Sequence, residues 1–381
     1  MMADTVLLIY SIFMVIVHFV IIAGIFRACA VSRKQQEVEQ EVEQKEQFKV
    51  SIIVPAKDEA DNLPALFESL EKVMTPDVQV ILADDRSADR THSLMEEFAV
   101  KHSNVKVIKN TEPPKPGMNP KHSMLAAASK YADGDILMFT DADCTVPENW
   151  VGEVCRYFQD PKVGLVFSVV VTAPGNSLSE RYQTQDHLQR FFYTVGAVGL
   201  GSPAGGYGNN LAIRRTALED VGGFESIGFS LTEDAQLIAA VRRTGCWRVA
   251  VCPFRPVLVY AQPQKKLLDA AKQEVRWSAG AIFGGDFMTA LMYSFMLLFT
   301  LVGAVSCLAI PFHPQAVLYY LAPVLSMVMM SSVGAWYLKM DKGFVLWIVP
   351  CAFLGTLFYG FTFLTAFLIP SVSWKGVKIK K

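Results

Sequence analysis

Between residues 50 and 140 the chain repeats one pattern: a short apolar run, a polar stop, then a stretch with helical spacing. Val50-Ser51-Ile52-Ile53-Val54-Pro55 is almost continuously apolar, as strands buried on both faces of a parallel sheet are. It gives way to the loop Ala56-Lys57-Asp58-Glu59. A helix then starts at Asn62-Leu63-Pro64 and runs to about Lys72, with proline in its first turn. Val78 to Ala83 is the second run; it stops at Asp84-Asp85-Arg86-Ser87, and a helix follows from about Asp89 to Val100. Val105 to Lys109 is the third run and Ile136 to Phe139 the fourth. Strands alternating with helices at this spacing imply parallel strands joined by right-handed crossovers. The expected fold class is α/β, with a doubly wound, mostly parallel sheet. All the acidic stops then open on one edge of that sheet, outside the carboxyl ends of the strands, where such sheets bind ligands.

The fourth run ends in Thr140-Asp141-Ala142-Asp143-Cys144. Two carboxylates at i and i+2, in an extended or tightly turning segment, face one point. Hard oxygen ligands there suit Mg²⁺ or Mn²⁺, which bind through one or two carboxylates plus waters and substrate phosphates. Asp141 and Asp143 are thus candidate metal ligands, and an Asp-rich turn closing a strand is the competing reading. Asp58, Asp84 and Asp85 are candidates for holding a nucleoside by its base and ribose; each would also serve as a turn or helix-capping residue. Pro113 to Lys121 is too rich in proline for regular structure and launches a helix, His122 to Ala132. Lys121 at its start can reach a phosphate with help from the helix N-terminus, or be a surface lysine.

The catalytic pattern accounts for only part of the chain. Of 381 residues 52% are hydrophobic, and the mean hydropathy is +0.29, so apolar residues must be concentrated elsewhere. A formal charge of -1 argues against a nucleic-acid binder. The seven cysteines form no C-x-x-C pair or zinc-like cluster. Val6 to Phe26 is about long enough to cross a bilayer and is followed by Arg27, Arg33 and Lys34, which predicts an uncleaved anchor with its amino end outside. Three further apolar blocks lie at about 287 to 310, 315 to 338 and 344 to 369. Four crossings from an outside amino end would put Lys375, Lys378, Lys380 and Lys381 outside, against the positive-inside tendency, so the crossing count stays open. The expected organisation is an anchor at 1–28, a charged linker helix at 29–48, a cytoplasmic catalytic domain at 49–264, an interfacial helix at 265–286, about three membrane helices at 287–370 and a basic tail at 371–381.

Five motifs taken together resemble glycosyltransferase family 2, which has the GT-A fold. They are Val50 to Glu59, Asp84-Asp85-Arg86-Ser87, Asp141-Ala142-Asp143, Thr232-Glu233-Asp234 and Gln273-Glu274-Val275-Arg276-Trp277, and they cover residues 49 to 280 in the family's order. The resemblance implies a nucleotide-sugar donor, a divalent cation and inversion at the anomeric carbon. It implies that Asp84 or Asp85 contacts the nucleoside, with Pro55, Asp58, Glu59 and Asp141 also on the donor side, where Lys121 is expected from its place at a helix start. Asp143 with Asp141 would hold the cation, and Asp234, beside Glu233, would be the catalytic base. Gln273, Arg276 and Trp277 match the Q-x-x-R-W motif of membrane-bound members, where it helps hold diphosphate and acceptor. The first loop has Lys57-Asp58-Glu59 where many members have Asn before Glu.

The chemistry asks for the same groups. Departure of a nucleoside diphosphate needs its charge neutralised, and the acceptor hydroxyl needs a carboxylate to take its proton. Glu233-Asp234 can supply that carboxylate or simply cap the following helix. Residues 172 to 202 are the expected seat of acceptor choice. There Ser177 to Phe192 reads as a helix mixing charge with aromatics, either skimming the membrane or packing into the core. Gly205-Gly206-Tyr207-Gly208 reads as a wall of the acceptor site. The sequence therefore predicts a membrane-bound inverting transferase moving a sugar, with UDP as expected carrier, to a lipid hydroxyl. The tail Ser373-Trp374-Lys375-Gly376 resembles that of some lipid-modifying members. A processive polysaccharide synthase is the alternative enzyme, and a non-catalytic membrane scaffold the alternative of another class. Oligomeric state is left open.

Overall fold

The computed structural model describes residues 2–40, 46–115, 117–173, 175–203, 205–228, 231–283, 287–374 and 377–380. In chain order the elements are α1 Met2–Gln40, β1 Val50–Ala56, α2 Leu63–Glu71, β2 Val78–Asp85, α3 Thr91–Lys101, β3 Val105–Asn110, α4 Pro120–Ser129, β4 Ile136–Phe139, β5 Cys144–Thr145, α5 Trp150–Tyr157, β6 Val163–Ser168, β7 Val170–Thr172 and α6 Leu178–Gly199. They continue with β8 Leu211–Arg214, α7 Arg215–Asp220, α8 Glu233–Arg243, β9 Arg248–Cys252, β10 Val259–Ala261, α9 Leu267–Phe283, α10 Phe287–Ala309, α11 Ala316–Tyr337, α12 Lys342–Leu368, β11 Ser371–Trp374 and β12 Val377–Lys380. They form two compact units. One is built from Cys29–Val171 and Gly205–Gln262, the other from Met1–Ala28, Thr172–Ala204 and Pro263–Lys381.

The first unit carries a seven-stranded sheet in the order β3-β2-β1-β4-β8-β6-β9. β1 lies parallel to β2 and β4, β2 to β3, and β6 to β9; β8 alone runs antiparallel, between β4 and β6. The expected doubly wound, mostly parallel sheet is present. Its strands are apolar because both faces are covered: Ile52, Ile53, Val54, Val80, Ile81, Leu82 and Leu165 are fully buried. A second sheet, β5-β10-β7, follows the Asp141 turn. From β1 the chain adds β2 and β3 on one side, then crosses to place β4 on the other, so the carboxyl ends of β1 and β4 flank the topological switch point.

The second unit is helical. α1 continues without a break through Gln40, so the expected anchor and the start of the linker are one helix; residues 41–45 of that linker lie outside the described residues. Three helices among the described residues are long and apolar enough to cross a membrane: Asp4–Gln35, Ala316–Tyr337 and Lys342–Leu368, with Tyr293–Ala309 a shorter apolar helix. Tyr320, Val324, Met327, Cys351, Ala352 and Tyr359 form a shared core for α11 and α12. α6 starts with a capping box, the Ser177 hydroxyl accepting from the Glu180 N–H and the Glu180 carboxylate accepting from the Ser177 N–H. It crosses the N-terminal helix where Gly24, Gly196 and Gly199 let the backbones meet: a Cβ on Gly199 would lie 1.8 Å from the Gly24 carbonyl oxygen. Of the two readings of α6, packing into the interior is what is observed, with Gln185, Asp186, His187, Gln189 and Arg190 all buried. The tail is an antiparallel hairpin of β11 and β12; Lys375, Gly376 and Lys381 lie outside the described residues.

Candidate active site

At the switch point the β1–α2 and β2–α3 loops are laced together. Ser87 Oγ accepts from the Asp58 N–H at 2.9 Å, Asp58 Oδ1 from the Ala88 N–H at 2.7 Å and Thr91 Oγ1 from the Glu59 N–H at 2.8 Å. Asp58 and Arg86 both sit at positive φ, 53° and 56°, a conformation that non-glycine residues hold only when their surroundings enforce it. The laced loops line an open surface depression of about 630 Å³ with Asp58, Glu59, Asp61, Asn62, Asp89 and Arg90, among others. Pro55 precedes this loop as the penultimate residue of β1, paired with Ala83.

The two β2 aspartates differ in their partners. Asp85 receives a two-point contact from Arg86, at 2.8 and 2.9 Å, and a third from Asn110 Nδ2 at 2.9 Å, so its oxygens are satisfied within the protein. Asp84 is fully buried; its Oδ1 accepts from the Ser87 N–H at 3.1 Å, while Oδ2 has no hydrogen-bond partner and faces the His92 ring at 3.5 Å. Of the pair, Asp85 is bound by the Arg86 fork, whereas the second Asp84 oxygen lies sealed against His92.

The third group gathers around Lys121. Its ammonium lies 2.6 Å from Asp141 Oδ1 and 3.4 Å from Glu233 Oε1. Burial works against the charge of Lys121, yet Asp141 and Glu233 outweigh it and hold its pKa well above the ordinary lysine value. Lys121 is therefore a bridge between two acidic segments far apart in sequence. Asn119, the N-cap of α4, donates to Glu233 Oε2 at 3.2 Å as well as accepting from the His122 N–H. Asp234, at the start of α8, is fixed by N–H groups: Gly208 donates to Oδ2 at 2.8 Å and Ala235 to Oδ1 at 2.8 Å. Burial and neighbouring Glu233 push the Asp234 carboxyl up to about 6, near the range a general base needs. A Cβ at 208 would meet the Asp234 side chain at 3.2 Å, a tight contact. Asn119 and Gly208 were not singled out from sequence as partners of these acids; the proline-rich and glycine-rich loops were the available signals.

Asp141 and Asp143 flank a turn closed by the Cys144 N–H to the Asp141 carbonyl at 3.1 Å. Burial, Asp141 and Glu59 raise the Asp143 carboxyl to about 7, so an added positive charge would be welcome there. Among the described residues no three His, Cys, Asp or Glu side chains form a ready-made metal cage. Two hard carboxylates and a raised pKa fit instead a Mg²⁺ or Mn²⁺ ion that completes its shell with water and phosphate. Gln273, Arg276 and Trp277 belong to the helical unit, on one side of α9, each half-buried.

The sequence matches the family described as glycosyl transferase family 21 over residues 13–380. Among curated relatives, the probable glycosyltransferase YdaM of Bacillus subtilis is 27% identical over 242 residues, covering 62% of this chain and 56% of the relative. The beta-monoglucosyldiacylglycerol synthase of Trichormus variabilis is 27% identical over 235 residues, 61% of this chain and 48% of the relative. The chain spans about half the length of these relatives. The solved mannosyltransferase PcManGT from Pyrobaculum calidifontis, in complex with GDP-Man and Mn²⁺, superposes with a TM-score of 0.54 at 18% identity, over 94% of this chain and 99% of that one, and shows the GT-A-like fold. The motifs resemble family 2, and the family matched along nearly the whole chain is family 21. The chain belongs to glycosyl transferase family 21.

Proposed function

We propose that the protein is a membrane-bound inverting glycosyltransferase that moves a sugar from a nucleotide-diphosphate sugar, with UDP as carrier, to a hydroxyl of a membrane lipid. The observation that carries this reading is the single cluster in which Lys121 joins Asp141 to Glu233, with Asp234 fixed beside them by the Gly208 N–H. One strand end offers carboxylates for a cation, and one helix start offers a carboxylate with a pKa of about 6 for a proton. Asp84 or Asp85, with Pro55, Asp58 and Glu59, holds the nucleoside. Asp141 and Asp143 would hold the divalent cation, which supplies charge neutralisation for the departing diphosphate. Asp234 takes the proton of the acceptor hydroxyl as its oxygen bonds to the anomeric carbon; the bond from that carbon to the diphosphate breaks, and both electrons leave with the nucleoside diphosphate. Gln273, Arg276 and Trp277 of α9 serve diphosphate and acceptor, a guanidinium suiting the phosphates and an indole packing on the acceptor. The catalytic unit faces the cytoplasm, where nucleotide sugars are made. A lipid hydroxyl as acceptor accords with the diacylglycerol named for the Trichormus relative.

The test is transfer by washed membranes containing the chain, with a panel of labelled nucleotide sugars, Mn²⁺ or Mg²⁺ and lipid extract, beside Asp234→Asn. Label in a small organic-soluble product, lost in EDTA and in Asp234→Asn, supports the proposal. Label in an ethanol-insoluble polymer makes the protein a polysaccharide synthase, and no label with any donor makes it a scaffold.

A further inference from the structure

The helical unit contains a buried charged cluster that the transfer reading leaves unused. Arg190 of α6 is 6% exposed, yet it is enclosed by carboxylates: Nε donates to Asp186 at 3.1–3.2 Å, and the guanidinium is ion-paired with Glu274 of α9. Glu274 lies inside the Q-x-x-R-W motif, one turn before Trp277. The same guanidinium lies over the Trp277 ring at 5.5 Å and over the Tyr359 ring of α12 at 4.8 Å. His187, one turn before the Arg190 level, contacts the Trp277 ring at 5.2 Å and 52°. Burial and the adjacent Arg190 push its imidazole down to about 3, so it meets the indole uncharged. α6 therefore touches Trp277 with a cation and a neutral ring while the rest of the indole stays half-exposed.

A buried ion pair is not by itself a gain in stability, since apolar replacements of equal volume often do as well. What this one adds is direction. A planar guanidinium whose Nε–H is shared by both Asp186 oxygens and which is ion-paired with Glu274 is restrained from two sides, and a restrained cation above an indole limits how that indole turns. We propose that Arg190 is a positioning residue: locked by Asp186 and Glu274, it sets the orientation of Trp277, and through Trp277 the way the motif meets the acceptor. This rests on the transferase reading, and it adds a residue from α6 that no motif contains.

The test is a double-mutant cycle in the full chain in lipid nanodiscs, combining Arg190→Lys with Trp277→Phe. Arg190→Lys keeps the charge but loses the fork, and it is expected to raise the acceptor KM about tenfold while the donor KM stays within twofold. In the Trp277→Phe background the same change is expected to have no further effect. The emission of Trp277, taken as the difference between each chain and its Trp277→Phe counterpart, is expected to shift in Arg190→Lys. An Arg190→Lys effect that persists undiminished without Trp277, or an unshifted Trp277 emission, overturns the proposal in favour of a structural ion pair. If Arg190→Lys does not fold, Glu274→Gln, which keeps the side-chain volume, enters the same cycle with the same outcomes. Absence of transfer by the parent chain would count against the transferase reading alone, since the emission comparison is read without substrate.

Discussion

Lys121→Met removes the one ammonium that Asp141 and Glu233 share, and its consequence can be worked out for a third group, Asp234. Lys121 lowers the Asp234 carboxyl by charge alone, while burial and Glu233 raise it, and the balance stands at about 6. An opposite charge at such range shifts a carboxyl by roughly 1–3 units, and with no direct hydrogen bond in play the lower end, about one unit, applies. A carboxylate acting as base must be ionised, so the rate falls as pH drops through its pKa. The parent chain should lose transfer with a midpoint near 6. In Lys121→Met the midpoint should move up to ~7, a difference of about 1.4 kcal/mol. The ratio of parent to variant rate, normalised at pH 9, should then be about fivefold at pH 6 and approach roughly tenfold at lower pH. Loss of a charge-assisted hydrogen bond to Asp141 costs about 1.5–3 kcal/mol of stability, so unfolding midpoints of both proteins are measured alongside. The assay is initial-rate transfer from pH 5 to 9 at saturating donor and saturating cation. Identical acid limbs in the two proteins would refute the reasoning, because a uniform drop means that Lys121 does not tune the base.

Asp234→Asn should reduce kcat by about 10²–10⁴ while donor affinity, read by calorimetry, changes less than about threefold. EDTA should abolish transfer and Mn²⁺ or Mg²⁺ restore it. Because Asp143 must give up a proton to serve as ligand, and its carboxyl sits at about 7, the apparent metal affinity should weaken as pH falls below 7; a pH-independent titration would argue against Asp143. Gly199→Leu forces a side chain into the Gly24 backbone and should lower the thermal midpoint, an overpacking cost of about 1–3 kcal/mol. Gly152→Ala, with nothing within 4 Å of the added Cβ, should be neutral or stabilising in the same scan.

The strands that build the switch point were legible because they are contiguous apolar runs: β1, β2, β3 and β4 begin at Val50, Val78, Val105 and Ile136, as the sequence suggests. β8 was not, since Leu211–Arg214 is four residues long and its antiparallel place between β4 and β6 depends on pairing rather than local pattern. The acids at the strand ends could be read, but not their division of labour. Arg86 satisfies Asp85 while Asp84 Oδ2 lies against His92, a distinction that arises only from side-chain geometry. Lys121 looked like a phosphate ligand because its loop precedes a helix; its bridge to Glu233 requires the folded sheet. α6 was hardest. Its Gln, Asp, His and Arg would suit a wetted face, and only Glu274, Trp277 and Tyr359 from later in the chain explain why they are buried.

That last point bears on how the protein is made. Thr172–Ala204 belongs to the helical unit, yet the chain then returns to finish the catalytic sheet with β8 and β9. When α6 leaves the ribosome, its partners on α9, α11 and α12 do not yet exist; the last of them ends at Leu368, roughly 170 residues after Gly199. At ~5–20 residues per second α6 waits about 10–30 s with its polar stripe unpartnered. β8 follows α6 closely and β9 ends at Cys252, so the sheet receives all its strands before α9 begins at Leu267. The catalytic sheet can therefore close first, while α6 still waits for its partners.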